Sequence, residues 1–527
     1  MKKYMFKRIL FSVFSLFVVV MVVMMLVYSL IERSVIFQQD DTWNKKSNND
    51  RIIYEYTQYQ KYGYLTWVDF STYVQNKYTA LYGDAYAKNP DFIADVGAVQ
   101  KSKTYLENPA VQEFMEEYQS KGYTLRYLEP YTYKSGKQKP GGKGYLIAIH
   151  EKNPMLRLVD YVKNFFTIET VNDVQDPELT ERFTRWEKDP YSGLIAHVGS
   201  GTTHKYLLYF DHRFPFIHQN RIHMNLGVSY TTYRGQEITS VITNPAGELR
   251  ATRQQYPNML GTDQYTDTAI DFHSLRYNTG VVSDSEQKLF PDKYTVYNYH
   301  RAGLSMLENS FVIGIIATII AYALGLPLGM LMARRKDKLA DKIGNAYIIF
   351  IMAVPSLAYI FMFAAVGTTL LHLPYKFANA QVKILAYVLP TISLSLPSIG
   401  NLMKWMRRYM IDQMNSDYVK FARAEGLSEK EIYDVHISRN AMIYLVHGIP
   451  SSILGCLTGA IMTERVYAVP GVGNLLTTAL NAHDNGIIVA CTVFYTSLSI
   501  ISVILGDLLL AKYDPRIKLS GEGGGGR

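Results

Sequence analysis

The stretch Asp417–Ala441, DYVKFARAEGLSEKEIYDVHISRNA, decides how this chain is read. Its first ten residues predict a short helix ended by Gly426, because glycine takes the left-handed conformation that closes a helix at little cost. Ser428-Glu429-Lys430-Glu431 is a capping-box pattern that opens a second helix. Helix, glycine break and helix make a compact elbow. Two apolar runs flank it: Ile384–Met403, with Pro390 and Pro397 inside, and Met442–Met462. A capped, charged elbow between two membrane-length runs is the first sign of a polytopic membrane protein.

Further runs lie outward from that centre. Phe311–Ala333 and Ile343–Leu371, the latter interrupted by Pro355, come before it, and Ile487–Leu510 comes after. Near the start, Ile9–Ile31 holds 23 residues without a charge, enough to cross a core of about 30 Å at about 1.5 Å per residue. It is too long for the apolar part of a signal peptide and lacks a small-residue cleavage site. Six spans are therefore expected. With the N-terminus inside, the inner segments 1–8, 334–342, 404–440 and 511–527 hold 20 Lys/Arg, and the outer loops 372–383 and 464–486 hold three. That asymmetry follows the positive-inside rule, places both termini in the cytoplasm and puts the elbow on the cytosolic side.

The 527 residues carry 54 Lys+Arg against 46 Asp+Glu, a net charge of +8. Glu32–Ser305 holds 31 basic and 32 acidic residues, so the excess belongs wholly to the apolar portion. This argues against a nucleic-acid footprint, which needs a basic face on a folded domain. Only two cysteines occur, Cys456 and Cys491, both in apolar runs, which excludes a disulfide-stapled scaffold. The expected organisation is 1–36 for the cytosolic N-terminus and first span, and 37–305 for an extracellular domain. Residues 306–519 form a transmembrane core with its loop at 404–440, and 520–527 a disordered glycine-rich tail.

The long outer segment holds 28 of the 42 tyrosines, which suits a folded mixed α/β domain. Asn108-Pro109, Asn153-Pro154 and Asp176-Pro177 each place an N-cap acceptor before a proline and predict helix starts, with apolar-periodic stretches at Met155–Phe166 and Leu179–Trp186. Tyr145–His150, Lys205–Phe210 and Ile238–Thr243 read as strands. His197, His204, His212, His218 and His223 match no zinc spacing, and scattered surface histidines are expected with no metal site. Gly199-Ser200-Gly201 reads as a turn, and Lys134–Gly144 as a loop without the order of a phosphate-binding motif.

The elbow resembles the "EAA" loop of the inner-membrane subunits of binding-protein-dependent ABC importers, and is most similar to the oligopeptide permease group of the OppB/AmiC type. Gly325-Leu326-Pro327-Leu328-Gly329 is similar to that group's second span, and Val469-Pro470-Gly471-Val472-Gly473 to its outer turn. Asp507 and Asp514-Pro515-Arg516-Ile517 match its C-terminal end, and Asn225–Ile242 the segment before span two. The resemblance covers 1–36 loosely, about 205–243, and 301–519 well. Two positions depart: the glutamate and first alanine of the general pattern fall on Lys420 and Phe421. The inserted sequence at roughly 38–204 and 245–300 resembles the outer domain of streptococcal and lactococcal oligopeptide permeases, which implies a Gram-positive plasma membrane.

The resemblance implies a type I importer permease fold, with six transmembrane helices and a large mixed α/β extracellular domain between the first and second. It implies no catalytic site and no cofactor in this chain, since no Walker A motif occurs; ATP and Mg²⁺ would be bound by partner ATPases. The implied partners are a homologous second permease, two cytosolic ABC ATPases, an extracellular peptide-binding lipoprotein and an oligopeptide substrate. The implied ATPase-coupling residues are Asp417, Tyr418, Phe421, Ala422, Arg423, Ala424, Glu425, Gly426, Leu427 and Ser428. Pro327, Gly329, Pro470, Gly471, Gly473, Asp507, Asp514, Pro515 and Arg516 carry the family motif as structural or gating positions, and no residue is assigned to the substrate path. Two other classes are weighed. An ion-coupled peptide carrier needs mid-membrane ionisable groups, and Asp507 and His447 sit near inner ends instead. A membrane-anchored sensor or adhesin would need neither six spans nor a capped elbow.

Overall fold

Long apolar helices set the frame. The structure is a computed structural model that describes all residues except 1, 31, 39, 102–103, 132–142, 211–215, 246–251, 256–264, 269–271, 291, 297–302, 447 and 514–527. Among the described residues, four helices are individually long and apolar enough to cross a membrane: Phe6–Ser29, Met306–Arg334, Leu385–Met414 and Asn485–Lys512. The remaining two expected spans are bent. Leu339–Ala353 and Ser356–Leu370 meet at 113°, and Glu429–Val446 and Ile449–Tyr467 at 51°. Pro355 accounts for the sharper bend. It pushes Val354 into an extended conformation (ψ 130) and cannot donate to the preceding turn. Each 15-residue half is about 22 Å long, short of a full crossing. The six expected spans correspond to four continuous helices and two bent pairs, if each bent pair counts as one span. The loop expected at 404–440 is also corrected at its start, because Leu385–Met414 runs as helix about three turns past Met403, burying Met406 and Met410.

The Met306–Arg334 and Leu385–Met414 helices share the most extensive helix–helix contact of the chain. Gly325 and Gly329, one turn apart, permit it. A Cβ on Gly325 would lie 2.8 Å from Leu402 Cβ, and one on Gly329 would lie 2.8 Å from both the Met403 carbonyl and Met406 Cβ. Backbones this close gain dispersion contacts that lipid cannot supply.

Three further pins hold the helices. Buried Glu464 accepts from Ser310 Oγ (2.6 Å) and from the Asn474 amide (2.9 Å). Asn309 Nδ2 donates to the Pro470 carbonyl at 2.9 Å. At the head of the last long helix, fully buried Asp484 accepts from Ser229 Oγ (2.7 Å) and from the amides of Tyr230 (3.0 Å), Thr231 (3.0 Å) and Thr232 (2.9 Å). Those donors lie in the inserted segment, so one carboxylate clamps that segment to the bundle. At the other end of the bundle Arg8 pairs with Asp507 at 2.6 Å.

The inserted segment is mixed α/β. Strands Leu65–Asp69, Tyr145–Glu151 and Thr124–Leu128 form an antiparallel sheet with Tyr145–Glu151 in the centre. Phe70, Val74, Phe114, Leu146 and Ala148 pack between it and helices Phe70–Tyr82 and Pro109–Ser120. A four-stranded antiparallel sheet runs in order Phe183–Lys188, Ile195–Ser200, Tyr206–Phe210, Ile217–Gln219. The tyrosines serve largely as core: Tyr62 stacks on Tyr230 at 4.3 Å, and Tyr64 packs edge-on to Tyr28 of the first span. Two of the three proline-marked starts open helices, at Pro109 and Pro154, with Asn108 and Asn153 as caps. The third does not. Asp176 Oδ1 accepts from the Glu178 amide at 2.9 Å, the bond of a helix start, and Oδ2 from Tyr277 and Lys293, yet Leu179–Trp186, expected as a helix, leads into the strand Phe183–Lys188 because the sheet supplies a partner along its length. Ile238–Thr243, expected as a strand, is a helix that buries Ile238, Val241 and Ile242 against the bundle, a tertiary override of β-branched propensity. Gly199 and Ser200 lie in a strand, and only Gly201 turns, at φ +82. Most of Lys134–Gly144 lies outside the described residues.

Two outcomes follow from these contacts. Gly329→Leu forces the two central helices apart and lowers the melting temperature of the detergent-purified chain, by about 2–3 kcal/mol of stability for an overpacked contact. Asp484→Ala leaves several buried donors unsatisfied. Limited proteolysis then cleaves the inserted segment faster than in the parent, while the Leu385–Met414 region keeps its protection.

Candidate functional site

The elbow forms as its sequence dictates. Helix Asp417–Ala424 ends at Gly426, whose φ is +82. The Leu427 amide donates to the Ala422 carbonyl (3.2 Å) and the Gly426 amide to that of Arg423 (3.1 Å), the paired bonds of a glycine-terminated helix. Ser428 Oγ accepts from the Glu431 amide at 3.2 Å, which is the Ser428 half of the expected capping box. Arg423 bridges the bend, its Nε donating to Glu429 Oε1 at 2.8 Å. The second arm is not uniform. Glu429–Glu431 is α-helical, Ile432–Ile437 is a π-helical turn, and Ser438–Val446 returns to α.

One side of the elbow is anchored and the other is free. Val419, Ala422, Ile432 and Ile437 are buried in a cluster with Met332, Ala333, Met406 and Met410. Arg334 lies 3.6 Å from Asp434. On the outward side, Asp417, Lys420, Arg423, Ala424, Glu425, Gly426 and Ser428 are exposed, and Phe421 is 70% exposed among them. Tyr418 and Leu427 are half-buried between the two sides. The Phe421 ring is thus a solvated aromatic among charged residues on a capped scaffold, not part of the core.

Sidedness follows from one continuous helix. Met306–Arg334, about 43 Å long, starts beside the inserted segment and the Asn309–Pro470 contact and ends at the elbow. The elbow and the inserted segment therefore lie at opposite ends of the bundle. Asp341 locks the elbow end: it is 2% exposed and takes a two-pronged pair from Arg407, Nε at 2.6 Å and the second nitrogen at 2.8 Å.

Between these ends lies a cavity of ≈ 650 Å³. Thr318 and Tyr322 of Met306–Arg334, Ser398 and Asn401 of Leu385–Met414, and Ser451 and Ser452 of Ile449–Tyr467 line it with hydroxyls and an amide, and no lining residue is charged. Tyr322 OH and Ser452 Oγ are 3.1 Å apart. Sequence reading assigned no path residues. The available signal was small polar residues recurring inside otherwise apolar runs, notably Ser451-Ser452 after Pro450.

The motif residues beyond the elbow have structural places. Pro327 sits within an unbroken helix between the two contact glycines. Gly471 and Gly473 leave no room for a side chain: a Cβ on Gly471 would collide with the Glu464 carboxylate, and one on Gly473 would lie 2.6 Å from Ile461 Cα. Pro470 offers its carbonyl to Asn309, and Asp507 pairs with Arg8. Asp514, Pro515, Arg516 and His447 lie outside the described residues.

Two of the five histidines expected to be scattered on the surface, His204 and His223, are instead brought together; His197 and His218 are half-buried, and His212 lies outside the described residues. His204 is buried, and it and His223 converge on buried Glu169, placing three potential ligand atoms within 4.8 Å of one another. The donor set does not suit a metal. Arg276 Nε donates to His204 Nε2 at 3.0 Å, which fixes the ring proton on Nδ1, where it is donated to Glu169. A metal on Nδ1 would need that proton moved to Nε2, facing the guanidinium. Burial alone would raise the Glu169 carboxyl, but hydrogen bonds from His204 and His223 outweigh it and bring the carboxyl down to about 2; the bond to Glu169 raises His223. Another buried pair, missed because its members are 84 residues apart, joins His273 Nε2 to Asp189 at 2.7 Å.

The family described as "Binding-protein-dependent transport system inner membrane component" matches residues 325–519. The oligopeptide transport system permease protein AmiC of Streptococcus pneumoniae serotype 4 is 35% identical over 535 residues, covering 99% of this chain and 100% of the relative. The dipeptide transport system permease protein DppB of Lactococcus lactis subsp. cremoris is 32% identical over 218 residues, covering 40% of this chain and 70% of the relative. A solved methionine ABC transporter, MetNI, covers 40% of this chain and 94% of its own at 11% identity and a TM-score of 0.32, a likeness too slight to argue from.

The Glu169 cluster sets a pH window. Its contribution is present above the ordinary glutamate range and is lost as pH falls toward 2. The His223 contribution is full below about 6.5 and is lost as pH rises through its raised value. Protease protection of the inserted segment is expected to be highest between about pH 4.5 and 6.5, and Glu169→Gln to flatten the fall on both sides. Identity across the whole length of an oligopeptide permease, together with the matched inner-membrane component, establishes that this chain belongs to the permease family of binding-protein-dependent transport systems.

Proposed function

We propose that this chain is the transmembrane permease subunit of an ATP-driven oligopeptide importer, and that residues 417–437 couple it to cytosolic ATPases. The observation that carries the coupling role is the elbow itself: rigidly capped, packed on the ends of the two central helices, and presenting Phe421 70% exposed at the end of the bundle opposite the inserted segment. Full-length identity to an oligopeptide permease supports the substrate class.

In this reading the elbow lies in the cytosol, both termini are cytoplasmic and the inserted segment is extracellular. Phe421 seats in a cleft of an ATPase that holds ATP and Mg²⁺. Movement of that cleft reaches Met332, Ala333, Met406 and Met410 directly, because these side chains form the elbow's seat. The central helices bound the uncharged cavity at Thr318, Tyr322, Ser398, Asn401, Ser451 and Ser452. Hydroxyl and amide groups there can exchange hydrogen bonds with a peptide backbone irrespective of its side chains. That suits a passage of low selectivity, with selection left to a separate peptide-binding lipoprotein that docks on the extracellular segment. A homologous second permease completes the path. The membrane is the plasma membrane of a Gram-positive bacterium, as in the pneumococcal and lactococcal relatives.

The test is the complex reconstituted with its second permease, two ATPases and binding protein. Gly426→Val places a β-branched side chain at positive φ, a cost of about 1–3 kcal/mol although space is open around it. Phe421→Ala leaves the elbow's fold intact and removes the anchor. Both are expected to reduce peptide-stimulated ATP hydrolysis and peptide uptake at least fivefold while the chain remains in the membrane. Unchanged stimulation in Phe421→Ala would overturn the coupling role.

A further inference from the structure

We infer that helix Pro154–Lys163 is an interfacial anchor that lies in the outer part of the lipid bilayer, so that the inserted segment is held to the membrane surface as well as to the bundle. The inference rests on the spans lying in a membrane but not on the coupling role of the elbow.

The helix has two apolar faces. One is spent on the protein: Leu158 is buried in a cluster with Val20 and Met24 of the first span, with Tyr161 packed against it. Arg157 lies over the Tyr28 ring at 3.6 Å. The other face presents Met155, Leu156, Val159 and Val162, which are 41–55% exposed. The chain then turns into a two-stranded ribbon, Phe166–Ile168 paired with Ile222–Met224. Phe166 stands opposite Met224 and Ile168 opposite Ile222, and all four are exposed. Eight exposed large apolar residues on two consecutive elements exceed what a water-facing surface of this kind usually carries.

Depth decides what covers them. Met24 and Val20 lie about 7 and 13 Å below the outer end of the first span at Ser29, by helical rise. A helix packed at those residues sits level with the last two turns of an uncharged span, below the aqueous phase. At the same level of that span, Val19, Val22, Met25 and Leu26 are exposed as well, an apolar surface of the kind that faces lipid. Lys61, Lys152, Arg157 and Asp160 line a cleft beside the helix whose apolar wall includes Met24, Leu226 and Val489; Lys152 pairs there with Asp160 at 2.9 Å, and Arg157 is buried over the Tyr28 ring. A helix with apolar residues at hydrocarbon depth and Asp160 and Lys163 on its polar side is the pattern of a bilayer-seated helix.

The experiment uses the full chain assembled with its partners in vesicles of phosphatidylcholine and phosphatidylglycerol. Leu156→Trp is expected to show at least twofold quenching by lipids brominated on the acyl chain, and less than a tenth of that effect with aqueous iodide. A photo-crosslinking residue at Val159 is expected to give phospholipid adducts. Iodide quenching without bromolipid quenching, or crosslinks to the second permease in place of lipid, would overturn the proposal. If Leu156→Trp fails to assemble, Val162→Trp gives the same readout. Neither measurement requires ATP hydrolysis, so a failure here leaves the coupling role standing, and failed coupling leaves the lipid contact to be read.

Discussion

The close approach of two helix backbones at Gly325 and Gly329 is the constraint on which the functional architecture depends. In lipid, helices gain nothing from hiding apolar surface, so their association must come from contact that lipid cannot match. Two glycines one turn apart bring the Met306–Arg334 backbone against Leu402, Met403 and Met406. That contact fixes the relative height of the two helices. It thereby builds a single seat, Met332, Ala333, Met406 and Met410, on which the elbow rests. A one-residue slip of either helix would dissolve the seat, because the side chains that form it come from both.

Carboxylates complete what the glycines begin. Asp341, Glu464 and Asp484 are each 2% exposed or less, and each is satisfied by several donors. In a low-dielectric setting an unpaired charge is so costly that these groups act as locks. Asp341 with Arg407 holds the base of the helices at the elbow end. Glu464 with Ser310 holds the turn at 469–473. Asp484 gathers four donors from residues 229–232, which joins a segment of more than 200 intervening residues to the bundle through one side chain. The packing is local around each lock, but the sequence separations are large, 255 residues between Ser229 and Asp484.

The elbow was legible because its determinants are local: a glycine at positive φ, a serine three residues before a glutamate, and apolar positions at helical spacing. Caps at Asn108 and Asn153 were legible for the same reason. What escaped the sequence depended on distant partners. Asp176 carries a helix-start pattern and makes the capping bond to the Glu178 amide, but the chain beyond it is taken into a sheet at Phe183–Lys188. Ile238–Thr243 has the composition of a strand but is helical because the bundle, not a sheet, is what it can bury against. The bend at Pro355 was marked by its proline, yet its 113° depends on neighbours that no short window contains. The cavity residues are serines, a threonine, a tyrosine and an asparagine spread over three helices, and only their packing brings them together. The histidine cluster shows the reverse error: an unfamiliar spacing suggested unrelated surface residues, whereas strand pairing drew two of them onto one glutamate.

The π-helical turn at Ile432–Ile437 has a mechanical consequence. Such a turn accommodates one residue more than an α-helical turn. Squeezing that residue out would lengthen the arm by about 1.5 Å and rotate whatever follows it by about 100° about its axis. The segment Ser438–Val446 is followed, across a 51° bend, by the helix that carries Ser451 and Ser452, so in the proposed coupling the bulge is a reserve of twist between the elbow and the cavity wall. A push on the elbow can be converted there into rotation of a polar stripe, with no need to tilt an entire span.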